Sequence, residues 1–203
     1  MPSLQAESAT VICQRALGLA EHRNTFESLE DTSQLAREAR LRYDMRRRTV
    51  LEAMDWRFAR RRAIAQAVTA AATPADLPRA WTVPPECLRI RGVFDGCRLL
   101  RHSREEVLFT QDAAIVQIVY TADFHNPALF PPVFTQALEF LLASEFSMLY
   151  ARSANRSEMM LANFRRTMDE ADAIEAAERS EEPAYADGGW VDSIAFPWSR
   201  GLD

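Results

Sequence analysis

The chain has 203 residues, 48% of them hydrophobic and 26% charged, with a formal net charge of -5. That length suits one domain, or one domain with an appended arm; the composition is globular, no run of about 18 apolar residues could span a membrane, and the acidity argues against a generic nucleic-acid coat. All 24 cationic side chains are arginine, so a Schiff-base lysine and a P-loop lysine are both excluded; codon bias in a GC-rich genome accounts for the missing lysine.

A first helix is predicted over residues 4–17, with Leu4, Ser8, Val11, Ile12, Arg15 and Leu19 near helical spacing and Gly18 as its stop. Asp31-Thr32-Ser33-Gln34 offers a capping signal, an Asp with Gln three residues later. The helix that follows runs to about Met54, with Ala36, Ala39, Tyr43, Val50 and Met54 on one face and Arg37, Arg40, Arg42 and Arg46 to Arg48 on the other. A kinked continuation through Asp55-Trp56-Arg57-Phe58-Ala59 leads into a further helical stretch ending near Ala72, and residues 73–78 read as a linker.

The texture changes after Trp81. From Cys87 to Phe94, Leu88, Ile90 and Phe94 alternate with Arg89, Arg91 and Val93, the pattern of a half-buried strand. Asp95-Gly96 marks a two-residue hairpin turn, from which Cys97 to Arg101 returns. Val107 to Thr110 and Ala114 to Tyr120 add two more strands, giving a small four-stranded antiparallel sheet. Pro131-Pro132 then opens a helix over 133–150, apolar on nearly all sides, with Phe134, Leu138, Leu141, Leu142, Phe146, Met148 and Leu149; such a helix sits at the centre of a core. A last helix, 156–179, carries Leu161, Phe164, Met168, Ala171 and Ile174 as its apolar stripe.

The fold class expected is therefore α+β: a helical bundle with an inserted small antiparallel β-sheet and an extended C-terminal arm. Its parts are a helical part over 1–75, the β part over 76–125, the helices completing the bundle over 126–180, and the arm over 181–203. The arm holds Trp190, Ile194, Phe196 and Trp198, the last three at period two, so it presents one apolar edge. It folds back on its own domain or lies on another subunit, as an added strand or as aromatic anchors in a groove.

No catalytic, metal-binding or cofactor-binding residue is expected. His22, His102 and His125 fall in three separate predicted loops or turns, and no G-x-S-x-G elbow, glycine-rich phosphate loop or H-E-x-x-H is present. Cys13, Cys87 and Cys97 make no disulfide framework, and the odd count suits a reducing compartment; Cys87 and Cys97 read as small half-buried core thiols near the hairpin. The first residues lack the basic and apolar regions of a signal peptide.

Charge placement is more informative than any motif. Residues 37–62 carry ten arginines against Glu38, Asp44, Glu52 and Asp55, a balance of +6. Residues 158–203 carry eleven acids against Arg165, Arg166, Arg179 and Arg200, a balance of -7. These charges either pair within the chain on solvated helix faces or meet a complementary surface on a neighbour. The alternative function is nucleic-acid binding by the Arg-rich helical segment 37–62, since guanidinium pairs phosphate bidentately; the segment lacks interleaved aromatics.

The order of several short motifs resembles the tail tubular protein A family of short-tailed bacteriophages. Leu35-Ala36-Arg37 leads to Arg42-Tyr43-Asp44 and on to Trp56-Arg57-Phe58-Ala59-Arg60-Arg61-Arg62-Ala63, similar to the family's Tyr-Asp helix running into a Trp-x-Phe-Ala segment with basic residues after it. Trp81-Thr82-Val83-Pro84-Pro85-Glu86-Cys87-Leu88-Arg89 matches an aromatic-x-Leu-Pro-x-Asp-Cys-Leu-Arg pattern, with Val83 for the usual Leu and Glu86 for the usual Asp. Leu108-Phe109-Thr110, Val119-Tyr120, 127–134 and 137–143 follow in the family's order, and Gly189-Trp190-Val191-Asp192 is similar to its closing Trp motif. The resemblance spans about residues 8–175.

It implies a helical part with an inserted antiparallel β part and no catalytic residues. It further implies a head-to-tail adaptor of the virion, made in the host cytoplasm: a ring, commonly of twelve copies, joining the portal to the tail nozzle or tube. Genomic DNA would pass through the channel without sequence-specific contacts, and no membrane is involved. Under this reading Arg46, Arg47, Arg48, Arg57, Arg60, Arg61, Arg62, Trp190, Ile194, Phe196 and Trp198 are the expected partner and subunit interface. An acidic bore lets a duplex slide where an arginine-lined one would hold it, so Arg46 to Arg48 and Arg60 to Arg62 are expected to avoid the channel.

Overall fold

The computed structural model describes residues 8–180 apart from 24 and 70–72. The predicted arm, with Trp190, Ile194, Phe196 and Trp198, lies outside the described residues. The fold is α+β, four helices with two small antiparallel sheets. It divides into a helical unit, built from residues up to 60 and from 121 to 177, and a β unit over 61–120.

In the helical unit, α1 (Ala9–Leu19) starts at Ser8, whose Oγ accepts the Val11 N–H at 3.2 Å. Ser8 is thus the cap rather than a face residue, and the helix passes through Gly18 before it stops. For α2 (Gln34–Ala53) the cap is Ser33, accepting from the Ala36 N–H at 3.2 Å. Asp31, the expected cap, instead accepts from the backbone N–H groups of Glu27 and Ser28, at 3.0 and 3.1 Å, and closes the preceding turn. A nearby carboxylate satisfies whichever orphan amides it can reach, so the turn took Asp31 and left the helix to Ser33.

The helix α3 (Pro132–Leu149) packs against both α1 and α2 and buries Phe134, Ala137, Leu138, Leu142 and Phe146. Its buried Ser144 and Ser147 donate their hydroxyls to the carbonyls of Leu141 and Ala143, each at 2.7 Å, so neither polar group is stranded. The helix is not buried all round, however: Met148 is 52% and Leu149 43% exposed. In α4 (Ala154–Ser180) the buried positions are Ser157, Met160, Thr167, Ala171 and Glu175. The predicted stripe drifts off this face at its end, where Ile174 is 50% exposed and Glu175 is buried.

The chain leaves and re-enters this unit through an aromatic cluster. Trp56 is fully buried, donates its indole N–H to the Val50 carbonyl at 2.8 Å, and meets Phe134 edge-on at 5.1 Å between ring centroids. Phe58 meets Phe124 and Phe134 in the same manner, at 5.5 and 5.1 Å.

Residues 57–69 do not continue as helix. After a single turn at Arg57–Ala59 come two strands, β1 (Arg60–Ile64) and β2 (Ala67–Val68). The β part therefore begins near residue 60 rather than 76, and ends with β8 (Gln117–Ala122). Six strands lie at or after β3 (Arg79–Trp81): β4 (Cys87–Asp95), β5 (Arg98–Leu99), β6 (His102–Arg104), β7 (Leu108–Thr110) and β8 follow it. The eight form two four-stranded sheets, ordered β1-β8-β4-β5 and β2-β3-β7-β6, where one sheet of four strands was expected.

Pairing explains the switch at 60–68. Ala67 lies opposite Trp81 and Val68 opposite Ala80, while β3 pairs on its other side with β7. Cross-strand partners thus override a local, alanine-rich sequence that would serve a helix. Leu77, from the predicted linker, packs with Ala80 and Phe109 in the core of this unit. Trp81 is buried with its indole N–H donating to Thr110 Oγ1 at 2.8 Å.

The hairpin turn sits one residue later than expected. Asp95 still pairs with Arg98, and Gly96 and Cys97 make the turn, with Gly96 at φ 58°, a value that glycine adopts without strain. Cys97 is consequently exposed while Cys87 is buried, and the two do not face each other. Val93 is the fully buried residue of β4, whereas Leu88, Ile90 and Phe94 are only half-buried. His102 lies in a strand rather than a loop.

Candidate partner interface

Four arginines of α2, Arg42, Arg46, Arg47 and Arg48, meet acids far away in sequence. Arg42 and Arg46, one turn apart, both reach Glu145 of α3: Arg42 Nη1 donates to Oε2 at 3.2 Å, and Arg46 pairs with Oε1. Arg47 turns inward. Its side chain is 0% exposed, and Nη1 donates to Asp123 Oδ1 at 2.5 Å and to the Phe124 carbonyl at 2.8 Å. Arg48 approaches the other oxygen of the same carboxylate at 2.9 Å, and His125 Nε2 lies 3.4 Å from it.

Burial pushes the Asp123 carboxyl up, but the Arg47 hydrogen bond and charge, with His125 and Arg48, outweigh it and hold the group below its ordinary value. Beside this cluster, burial raises the Tyr43 phenol and pushes the Cys13 thiol up to about 12. The Tyr43 hydroxyl and Arg47 Nε and Nη2 are buried with no hydrogen-bond partner.

The other predicted arginines follow the chain out of the helix. The exposed Arg57 gives its backbone N–H to the Glu175 carboxylate, at 3.3 and 3.4 Å. Arg60 pairs with Asp55 through two bonds, Nε to Oδ1 at 3.1 Å and Nη2 to Oδ2 at 2.8 Å. Arg61 and Arg62 are exposed on β1. The structure thus gathers Arg46, Arg47 and Arg48 on one helix and sends Arg61 and Arg62 to an edge strand. The +6 segment meets its counter-charges largely inside its own unit.

Comparison with protein families finds no match for this chain, and no curated protein matches it.

Two open grooves lie on the helical unit. One, of about 510 Å³, is lined by Arg15, Phe130, Thr135 and Glu139, with Arg15 and Glu139 paired across it at 3.2 Å. The other, of about 430 Å³, runs between α2, α3 and α4. Leu141, Met148, Leu149 and Leu161 give it an apolar floor, and Arg42 and Arg46 with Glu145 form its rim. Two guanidiniums share the Glu145 carboxylate there, Glu38 one turn earlier on α2 also acts on Arg42, and Nε of each arginine is buried without a hydrogen-bond partner. Sequence reasoning missed this groove because it assigned Met148 and Leu149 to the core. The usable signal was Glu145, four residues before Leu149 and so on the same face of α3; Ser144 and Ser147 are themselves buried.

Neither groove encloses a small molecule or carries a nucleophile beside a base. Among the described residues no three His, Cys, Asp or Glu side chains are grouped to hold a metal ion, and no helix is long and apolar enough to cross a membrane. What these surfaces can do chemically is accept a chain segment: a shallow apolar trough with a cationic rim takes an extended peptide with apolar and acidic side chains.

Proposed function

We propose that this chain is a structural head-to-tail adaptor of a phage virion, forming a ring that joins the portal to the tail nozzle or tube around the DNA exit channel. The observation that carries the reading is the insertion of the β unit between α2 and α3, after which α3 returns to pack on α1 and α2. That is the arrangement implied by the collinear motifs, from Arg42-Tyr43-Asp44 through Trp81 to 137–143. Trp56 and Phe58, which belong to the resembling segment, make the aromatic cluster at the exit point. In such a protein the chemistry is complementarity between surfaces, and the chain acts by holding partners rather than by catalysis.

The ring has unlike patches meeting around the circle, a heterologous arrangement. Arg47, fully buried, is closed to any partner, and Arg46 and Arg48 are drawn onto Glu145 and Asp123. This supports keeping them out of the bore, and it weakens the nucleic-acid reading of segment 37–62, in which the guanidiniums of Arg40, Arg42, Arg46, Arg47, Arg48 and Arg60 are each paired with an acid.

Negative-stain microscopy and native mass spectrometry of the full chain, alone and with a portal protein, test the reading. Rings of about twelve subunits are the expected result. Deleting residues 184–203 is expected to impair docking or ring stability. A chain that stays small in both settings and binds duplex DNA with steep salt dependence would overturn the adaptor reading in favour of a DNA-binding one.

A further inference from the structure

We propose that the groove between α2, α3 and α4 receives residues 190–198 of a second copy of this chain. The proposal rests on the ring reading for the arrangement of copies, but the groove and the segment stand on observations of their own.

The groove needs an occupant that is both apolar and acidic. Met148 and Leu149 are half exposed on its floor, and its lining holds the guanidiniums of Arg42 and Arg46 with Glu145, while Glu38 acts on Arg42 from outside the groove. Residues 181–203 fit both demands. They carry Glu181, Glu182, Asp187, Asp192 and Asp203 against Arg200, a balance of -4, and they concentrate Trp190, Ile194, Phe196 and Trp198 within nine residues. Large aromatics are the side chains that anchor peptides in shallow apolar troughs, and the acid at Asp192 sits between two of them. The Arg15 groove is a poorer fit, because Glu139 already faces its cation.

Distance decides between the chain's own segment and a neighbour's. The groove touches α4 at Ser157 and Leu161, whereas residues 181–203 follow Ser180 at the far end of that helix. From Leu161 to Ser180 is about 28 Å at 1.5 Å rise per residue. From Ser180 to Trp190 the chain spans at most about 33–36 Å fully extended, so a chain reaching its own groove would have to run nearly extended back along the whole helix. A neighbour whose α4 ends near the groove meets no such demand. Donor segment and acceptor groove at opposite ends of one helix are unlike patches, and repeating that contact closes a ring or extends a filament instead of capping off as a two-fold dimer.

The test uses the full chain with Phe196 replaced by the photocrosslinking residue p-benzoylphenylalanine, mixed as ordinary and heavy-nitrogen protein, irradiated, and mapped by peptide mass spectrometry. The expected cross-links join position 196 to residues 141–161 and include mixed-isotope pairs. Adding Met148→Glu, an exposed position, is expected to lower those cross-links about tenfold or more, because a charge would then be buried under the aromatics. Cross-links elsewhere, none at all, or only same-isotope pairs would overturn the proposal. Native mass spectrometry of the same samples separates the two claims. Rings with cross-links outside the groove keep the adaptor and discard this site. Mixed-isotope cross-links in the groove without rings keep the site and discard the adaptor.

Discussion

Asp123 binds Arg47 through a 2.5 Å hydrogen bond that ties the loop after β8 to the middle of α2, with the guanidinium wholly removed from solvent. A buried cation of this kind is worth little as a net stabiliser but is costly to leave unpaired. Asp123→Asn is therefore expected to destabilise the chain by about 3–5 kcal/mol. Arg47→Met removes the charge itself and leaves Asp123 with Arg48, so its cost is smaller, about 1–3 kcal/mol for the Phe124 carbonyl left without its donor. Urea midpoints at constant slope measure both. Equal losses, or the reverse order, would contradict the account of Arg47 as a buried charge held by Asp123.

The same carboxylate sets an acid limit. Its folded-state value lies below the ordinary 3.8, so it contributes stability that is fully present above 3.8 and is lost as pH falls through the lower, folded value. Glu38 and Glu86, lowered chiefly by the hydroxyls of Tyr150 and Tyr120, act in the same direction. Melting temperatures between pH 5 and pH 2.5 are expected to fall, and to fall less steeply in Asp123→Asn than in the parent. Parallel curves would show that Asp123 does not carry the acid transition.

The helices and the existence of β4 were legible because their signals are local: apolar spacing and Pro131-Pro132 lie within a few residues of what they determine, although the caps fell to Ser8 and Ser33 rather than Asp31 and the buried face of β4 to Val93. Segment 60–68 was not legible, since β1 takes its partner from β8 and β2 from Trp81 and Ala80, all more than ten residues away, while its own alanines favour helix. The candidate interface suffered from the same limit. Sequence shows that arginines accumulate in 37–62, but their partners, Asp123 and Glu145, come from the far side of the β unit, and only folding reveals that one acid serves two cations. A charge sum along a chain counts ions without their neighbours.

Thiol chemistry checks the hairpin. Cys97 is exposed in the turn after β4, whereas Cys13 and Cys87 are buried, with Cys13 pushed up to about 12 and Cys87 raised by burial despite Arg104. A thiol reagent at pH 8 is expected to modify Cys97 quickly in the native chain, and the other two only on unfolding. Cys97→Ser should abolish the fast phase. Fast modification of Cys87 would mean that β4 is out of the register given by the Phe94–Leu99 pair.

The end of α4 offers the sharpest contrast between pattern and structure. By apolar spacing Ile174 belongs in the core and Glu175 on the surface, yet Ile174 is half exposed and Glu175 is buried with its carboxylate on the Arg57 N–H. An apolar side chain in water adds little, whereas removing the acceptor leaves a backbone donor and a small void behind. Ile174→Ala is thus expected to change stability by no more than about 0.5 kcal/mol, and Glu175→Ala to cost about 1–3 kcal/mol. Both substitutions place alanine in a helix, so intrinsic propensity favours neither loss. Denaturant melts at low protein concentration keep any contact between copies from masking the comparison. Should Ile174→Ala prove the more damaging, α4 would be rotated from the packing described, and the Glu175–Arg57 tie between the end of this helix and the exit from α2 would fall with it.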